Sequence, residues 1–225
     1  MNSTKKNHEE EVLLESVSKT QLFFNKYKNV MLYIAIAILV IGAGSAAYYF
    51  FGYAPAKQEA EEAVAQQVGY FSQGNFEVAL NGDGQNLGLA DIIDEYGSKA
   101  GKAVYAYAGL CELNLKNYES AISYFDSYKG KEPLMKSCVL AAKGDAYCGL
   151  ENYEAAVKCY REAVAASESQ LNARYLLNAG LAAEKLGDME TALSFYNTIK
   201  TEYPMSAEGG MIEKYIVKVE TMLAK

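Results

Sequence analysis

Gly109, Gly144 and Gly180 lie 35 and then 36 residues apart, and Ala121, Ala156 and Ala192 keep the same two intervals. The aligned segments read AYAGLCELNLKNYESAISYF, AAKGDAYCGLENYEAAVKCY and LNAGLAAEKLGDMETALSFY. Each holds an apolar pattern at helical spacing, a break, and a second such pattern. In the first copy Leu110, Leu113 and Leu115 precede a break at Lys116 and Asn117, after which come Ala121, Ile122 and Phe125. The chain therefore reads as three helical hairpins of 34 residues, over 102–135, 137–170 and 173–206. One hairpin cannot cover its own apolar face; stacked neighbours do so, and about three copies are needed for stability. The small residues let paired helices approach closely, and the aromatics fill the space opposite. Pro133 and Pro204 are expected to end helices, because proline lacks the N–H that a helix interior needs. The fold class that follows is all-α, a solenoid of helical hairpins.

Degenerate elements flank the three copies. Residues 57–73 read as a first helix and Gly74, Asn75 and Phe76 as an inter-helix turn. The segment 81–88, NGDGQNLG, then interrupts with a cluster of turn formers before helix resumes at LADIIDEY. Residues 57–101 are thus a fourth, imperfect unit carrying a loop insertion. Residues 207–225 read as a capping helix, with Met211, Tyr215, Val219 and Leu223 at i, i+4 spacing on its inner face.

The period and the small/large pattern resemble the tetratricopeptide repeat. In that family the first helices of successive units line a concave groove that takes partner peptides. By this resemblance the groove is lined by Ala106, Tyr107, Leu110 and Leu113 in one unit. Ala141, Asp145 and Cys148 follow, and then Arg174, Leu177, Asn178 and Leu181. Chaperone-tail receptors of the family use Lys and Asn to clamp a C-terminal carboxylate; Ala106 and Leu110 stand in those places, so that clamp is missing here.

Ahead of the repeats, residues 30–52 (VMLYIAIAILVIGAGSAAYYFFG) carry no charge and no proline. As a helix this stretch extends about 34 Å at ~1.5 Å per residue, enough to cross a hydrocarbon core about 30 Å thick. Lys19, Lys26 and Lys28 lie close on its N-terminal side and only Lys57 on the other, which predicts a cytoplasmic N-terminus and an exported repeat domain. Tyr33, Tyr48, Tyr49 and Tyr53 suit the two interfaces. The leader, 1–29, is long and the apolar run exceeds that of a cleaved signal, so an uncleaved anchor is expected. Val12, Leu13, Val17 and Phe24 fall on roughly one helical face, but the polarity of the leader favours a short tail beside the membrane. Gly42 and Ala46 form a small-xxx-small pair through which two spans would touch; weak self-association is the alternative to a monomer.

Charge and chemistry exclude much else. The net charge is −7, and from Lys57 onward 24 acidic residues outnumber 16 basic ones. An acidic domain repels phosphate backbones, so nucleic acid is not an expected partner. The only histidine is His8, in the leader, which leaves no histidine base for a triad in the repeats. GSKAGKA at 97–103 is one residue short of a phosphate loop and ends in Ala where a hydroxyl is needed. The loop from Asn81 has Asn86 and Ile92 where a calcium loop needs Gly and Glu. Cys111, Cys138, Cys148 and Cys159 show no zinc-ligand spacing; free thiols are expected, with one disulfide as the alternative. No catalytic residue, metal or cofactor is assigned, and the chain is read as a non-enzyme.

A cytoplasmic leader, one span and exported repeats with a degenerate first unit resemble the ancillary SecYEG translocon subunit family of Gram-negative bacteria. The segments that carry this are KNVMLYIAIAILV, APAKQEAEEAVAQQ and TEYPMSAEGGMIEKYIVKVETMLAK. The resemblance implies a single-pass inner-membrane protein whose periplasmic repeats meet translocon subunits, periplasmic chaperones or other envelope proteins. Its function would be that of a tethered scaffold or adaptor assisting folding or assembly at the translocon. The alternative is a coordinator of envelope assembly or division acting through the groove alone. The 81–88 insertion departs from the family pattern.

Overall fold

A computed structural model describes residues 2–224, with the side chains of residue 21 and of those from 23 on. Every regular element among them is helical, and the chain divides into two compact units, Met1–Pro55 and Ala56–Lys225.

The first unit holds α1 (Asn2–Tyr48) and a five-residue π-helical turn, Tyr49–Tyr53. The leader is helical back to Asn2 rather than an irregular tail. Its Glu and Lys residues are good helix formers, and a helix already nucleated by the apolar run extends at little cost. The apolar face expected at Val12, Leu13 and Val17 lies outside the described side chains; Phe24 is exposed. Among the described residues one helical segment, Phe23–Ser72, is long and apolar enough to cross a membrane, and its most apolar stretch is wholly unburied. Aromatics gather near both ends of the run: Phe23 meets Tyr27 at a tilt, 4.8 Å between ring centroids, and Tyr49 stacks on Tyr53 at 5.8 Å. The Lys26 ammonium lies 5.4 Å from the Tyr27 ring.

The second unit begins with α2 (Ala54–Ser72), α3 (Phe76–Asn81) and α4 (Leu89–Tyr96), the last followed by a 3-10 turn at Gly97–Ala100. Three hairpins follow: α5 (Ala103–Asn114) with α6 (Tyr118–Ser127), α7 (Pro133–Gly149) with α8 (Tyr153–Ala166), and α9 (Asn172–Leu186) with α10 (Met189–Glu202). A 3-10 turn at Gly209–Met211 leads into α11 (Glu213–Leu223). This is a solenoid of helical hairpins, in which each helix packs on its successor from α5 to α11.

One turn closes all four hairpins. Its left-handed residue is Gly74 (φ 80°), Lys116 (φ 66°), Glu151 (φ 58°) or Gly187 (φ 79°). The next residue, Asn75, Asn117, Asn152 or Asp188, has φ between −84° and −88° and donates its N–H back to Tyr70, Glu112, Tyr147 or Ala183 at 2.9–3.0 Å. This is the Schellman closure, which satisfies the carbonyls a helix end leaves free. Its presence at Gly74 makes α2–α3 a hairpin of the same kind as the other three.

The core runs along the array in three overlapping clusters. Ala60, Ala79, Leu80, Leu89, Ile92, Val104, Ala108 and Cys111 tie α2–α4 to α5. The opposite side of α5 gives Ala106 to a cluster with Phe125, Val139 and Ala146. Ala141, on another face of α7, joins Tyr160, Leu176, Tyr196, Ile199, Ile216 and Val219. Ala79, Ala121, Ala156 and Ala192 occupy equivalent places on the second helices and are fully buried, so helix pairs close to the distance that a methyl allows.

Two local expectations are corrected. Pro133 starts α7 instead of ending α6: at the first helical position its missing N–H has no intrahelical acceptor to lose and its φ is already helical. Pro204 does follow the end of α10. On the capping helix Met211 and Leu223 are 42% and 46% exposed, while Ile212, Ile216 and Val219 are buried and Tyr215 is half-buried. Val219 keeps its place on the inner face, and Ile212 and Ile216 share it because successive i, i+4 steps drift around a helix of 3.6 residues per turn. All four cysteines are free thiols.

The 81–88 insertion is ordered by Asp83, whose Oδ1 accepts from the backbone N–H groups of Gln85 (2.9 Å) and Asn86 (2.7 Å). Its Oδ2 accepts from Asn86 Nδ2 (2.9 Å) and the Tyr70 hydroxyl (3.2 Å). These donors, Asn86 foremost, hold the Asp83 carboxyl well below the usual carboxylate range.

Candidate protein-binding cleft

The glycines that set the repeat also set the site. A Cβ on Gly144 would stand 2.8 Å from Tyr160 Cε1, and one on Gly109 would stand 2.5 Å from Phe125 Cε1; Gly180 meets Tyr196 in the same way. The bare backbone is a slot through which the aromatic ring of the second helix crosses the first. In two units the ring is a tyrosine, and its hydroxyl emerges beside a carboxylate. Tyr160 donates to Asp145 Oδ1 at 2.6 Å, and Tyr196 donates to Glu184 Oε1 at 2.7 Å. Burial, reinforced by these carboxylates, pushes both phenols far above their ordinary pKa, so they remain donors.

The two carboxylates differ in what completes them. Glu184 forms an ion pair through Oε2 with Lys218 of α11. Asp145 instead receives a second, longer bond on the same Oδ1, from Asn178 Nδ2 at 3.3 Å. Arg174 acts on Asp145 by charge, but among the described residues no cation forms an ion pair with Asp145. Asp145 is exposed at the cleft mouth, yet the protein around it strips enough hydration to raise its pKa; Tyr160, Arg174 and Asn178 offset part of that rise.

These groups border an open cleft of about 600 Å³. Asp145 and Cys148 on α7 form one side, and Asn178, Leu181, Ala182, Glu184 and Lys185 on α9 the other. Tyr153, Tyr160 and Met189 come from the second helices, and Lys218 and Met222 of α11 close the end. Cys148 Sγ sits 3.6 Å from the Tyr160 hydroxyl, and burial raises its pKa, which keeps it a thiol. Leu181, Met189 and Met222 supply apolar surface beside the two carboxylates.

Of the groove residues expected from the sequence, the cleft brings together Asp145, Cys148, Asn178 and Leu181. Ala106 and Ala141 are 2% and 4% exposed and serve as close-packing residues; they offer no contact surface. Tyr107 packs on Phe71 at 5.4 Å, and Leu110 and Leu113 lie against the core joining α5 to α7. Leu177 packs on the C-terminal core, and exposed Arg174 stands outside the cleft lining. The sequence reading missed Tyr153, Tyr160, Ala182, Glu184, Lys185, Met189, Lys218 and Met222. Tyr160 and Tyr196 were visible as recurring aromatics, but nothing in their spacing says that a ring passes over a glycine and delivers its hydroxyl to the far side. Lys218 and Met222 belong to a helix whose polar side read as solvated.

Among the described residues no group of His, Cys, Asp or Glu is placed to hold a metal ion. A helical-hairpin solenoid with an open, partly apolar cleft is the architecture of a protein-interaction module. The tetratricopeptide repeat family matches residues 141–207, from within α7 to just past α10. No curated protein matches the chain. The repeat supports a protein–protein interaction scaffold, on a fold typically used without catalysis.

Proposed function

We propose that the chain is a membrane-tethered scaffold on the exported side of the bacterial inner membrane. In this reading one helix crosses the bilayer with its N-terminus in the cytoplasm. The cleft holds segments of proteins emerging from or assembling at the translocon, or of periplasmic chaperones. The observation that carries the reading is the open cleft assembled from α7, α9 and α11, whose lining combines exposed Leu181 and Met222 with Asp145. An unburied apolar helix and the lysine excess on its N-terminal side support the tether and its direction. Tethering raises the local concentration of a low-affinity groove near its partners, so contacts too weak for solution binding suffice.

Photo-crosslinking in cells from Leu181 and Met222 tests the partner, with mass spectrometry of the adducts. Translocon subunits or periplasmic chaperones are the expected products; adducts with neither overturn the translocon reading. A Ser3→Cys variant lacking the four native cysteines tests direction. Labelling by a membrane-impermeant maleimide only after permeabilisation is expected, and labelling of intact cells reverses the orientation.

A further inference from the structure

The repeats hold one tyrosine–carboxylate pair that the protein completes and one, lining the cleft, that it does not. In the α9–α10 hairpin Tyr196 and Glu184 are joined by Lys218, a cation from the next helix along. In the α7–α8 hairpin Arg174 of the next helix along acts on Asp145 by charge without forming an ion pair among the described residues, and Tyr160 and Asp145 are hydrogen-bonded from that helix only by the neutral Asn178. Both of these donors share Asp145 Oδ1, and Oδ2 accepts from no side chain or backbone group of the described residues. A carboxylate partly stripped of water with an oxygen free is a receptor for a charge-assisted donor. Leu181 and Met222 present apolar surface in the same cleft.

We propose that the cleft takes a peptide segment of a partner protein carrying a Lys or Arg beside apolar residues, its cation pairing with Asp145 Oδ2 as Lys218 pairs with Glu184. The inference rests on the groove reading above and narrows it to a partner chemistry. The occupant carries a base at the Asp145 end of the cleft because that carboxylate keeps an oxygen without a donor, the exposed Lys185 on the α9 wall forming no ion pair with it among the described residues, and because the solenoid carries 24 acidic residues against 16 basic ones, which steers basic segments toward it. It is apolar next to the base because the cleft wall beside Asp145 is Leu181 and, at the capping helix, Met222. The cation and its neighbours seat together: the apolar contacts exclude water from the ion pair, and the ion pair fixes the register of the segment.

The test is selection of random 12-residue peptides displayed on phage against the full chain in lipid nanodiscs. Affinities of the enriched peptides are then measured for the parent protein, for Asp145→Asn, and for Leu181→Gln/Met222→Gln. The expected result is enrichment of Lys or Arg flanked by Leu, Met or Phe, with roughly tenfold weaker binding to Asp145→Asn and to the double variant. Asp145→Asn retains the oxygen that accepts from Tyr160, so its circular dichroism and melting are expected to report an intact fold. Peptides that depend on Leu181 and Met222 but carry no base, or bind Asp145→Asn as tightly as the parent, overturn the cation proposal and leave the groove standing. No enrichment, or enriched peptides indifferent to the double variant, overturns both.

Discussion

Gln67 Nε2 donates a 2.8 Å hydrogen bond to the Leu87 carbonyl, and Gln67 stands where the later units have glycine. Counting back from the buried alanines Ala121, Ala156 and Ala192 reaches Gly109, Gly144 and Gly180; the same count from Ala79 reaches Gln67. Counting forward from those alanines reaches Phe125, Tyr160 and Tyr196, while from Ala79 it reaches Asp83, in the inserted loop. The first unit thus has no ring to cross its helix. A fully buried glutamine fills the slot and ties down the loop that replaced the ring. Gln67→Leu keeps the bulk and removes the donor, leaving the Leu87 carbonyl short of a partner. Because Leu87 lies at the surface and the change also removes the buried, unpartnered Gln67 Oε1, a loss of about 1 kcal/mol is expected, read by chemical denaturation, with faster hydrogen exchange across 82–88.

Gly144→Ala places a methyl 2.8 Å from the Tyr160 ring, closer than carbon atoms approach. The ring is fully buried and cannot swing aside, so overpacking is expected to lower stability by about 1–3 kcal/mol. Combining Gly144→Ala with Tyr160→Leu is expected to cost less than the sum of the two single changes in a double-mutant cycle, since the second change vacates the space the first one needs. Additive losses would mean the contact is not what the glycine serves.

Lys116 and Glu151 hold left-handed backbone that costs an L side chain about 1–2 kcal/mol. Gly74 and Gly187 hold the equivalent turns without that cost. Lys116→Gly and Glu151→Gly are each expected to raise stability by about 0.5–1 kcal/mol, the gain being trimmed by the added freedom of glycine in the unfolded chain. The reverse change, Gly187→Ala, is expected to lower it by about 1 kcal/mol. Midpoint shifts in urea at constant slope are the measurement.

Acid is expected to act on Asp145. Burial raises its folded pKa above the ordinary value of 3.8. The folded state therefore favours the protonated carboxyl; this contribution is complete below the unfolded pKa and is lost as pH rises through the folded one. At pH 7 Asp145→Asn is expected to melt higher than the parent, by under about 1 kcal/mol because solvent at the cleft mouth screens the charge. The gap is expected to close as the pH falls toward 3.8. Parallel melting curves between pH 3.5 and pH 7 check this, and a gap that widens with acid reverses the assignment.

Much of the solenoid was legible because its signals are repetitive. Glycines and alanines in register gave the hairpins, and Gly74, Asn75 and Phe76, read as an inter-helix turn, placed the imperfect unit. The groove was less legible. Helical periodicity says which residues share a face, yet Ala106 and Ala141 share it while being too small and too deep to be touched. Tyr160 belongs to the opposite helix but reaches the cleft through the Gly144 slot. Pro133 was misplaced because proline is tolerated at a helix start and excluded from its interior, and sequence alone does not say which side of the break it occupies. Around α11 the i, i+4 series found Val219 but not Ile212 and Ile216, because that spacing drifts around a helix of 3.6 residues per turn.

The four identical turns have a consequence for how such a chain changes length. Each joint imposes the same backbone geometry whether its left-handed residue is glycine, lysine or glutamate. Breaks made in two successive turns excise or duplicate one second helix together with the first helix that follows it, and the ends rejoin in the same backbone conformation, so recombination can lengthen or shorten the array without inventing a new connection. The first hairpin is the exception. Its seam is wedded to Gln67 and the inserted loop, which makes it a fixed terminus from which the interchangeable segments are strung.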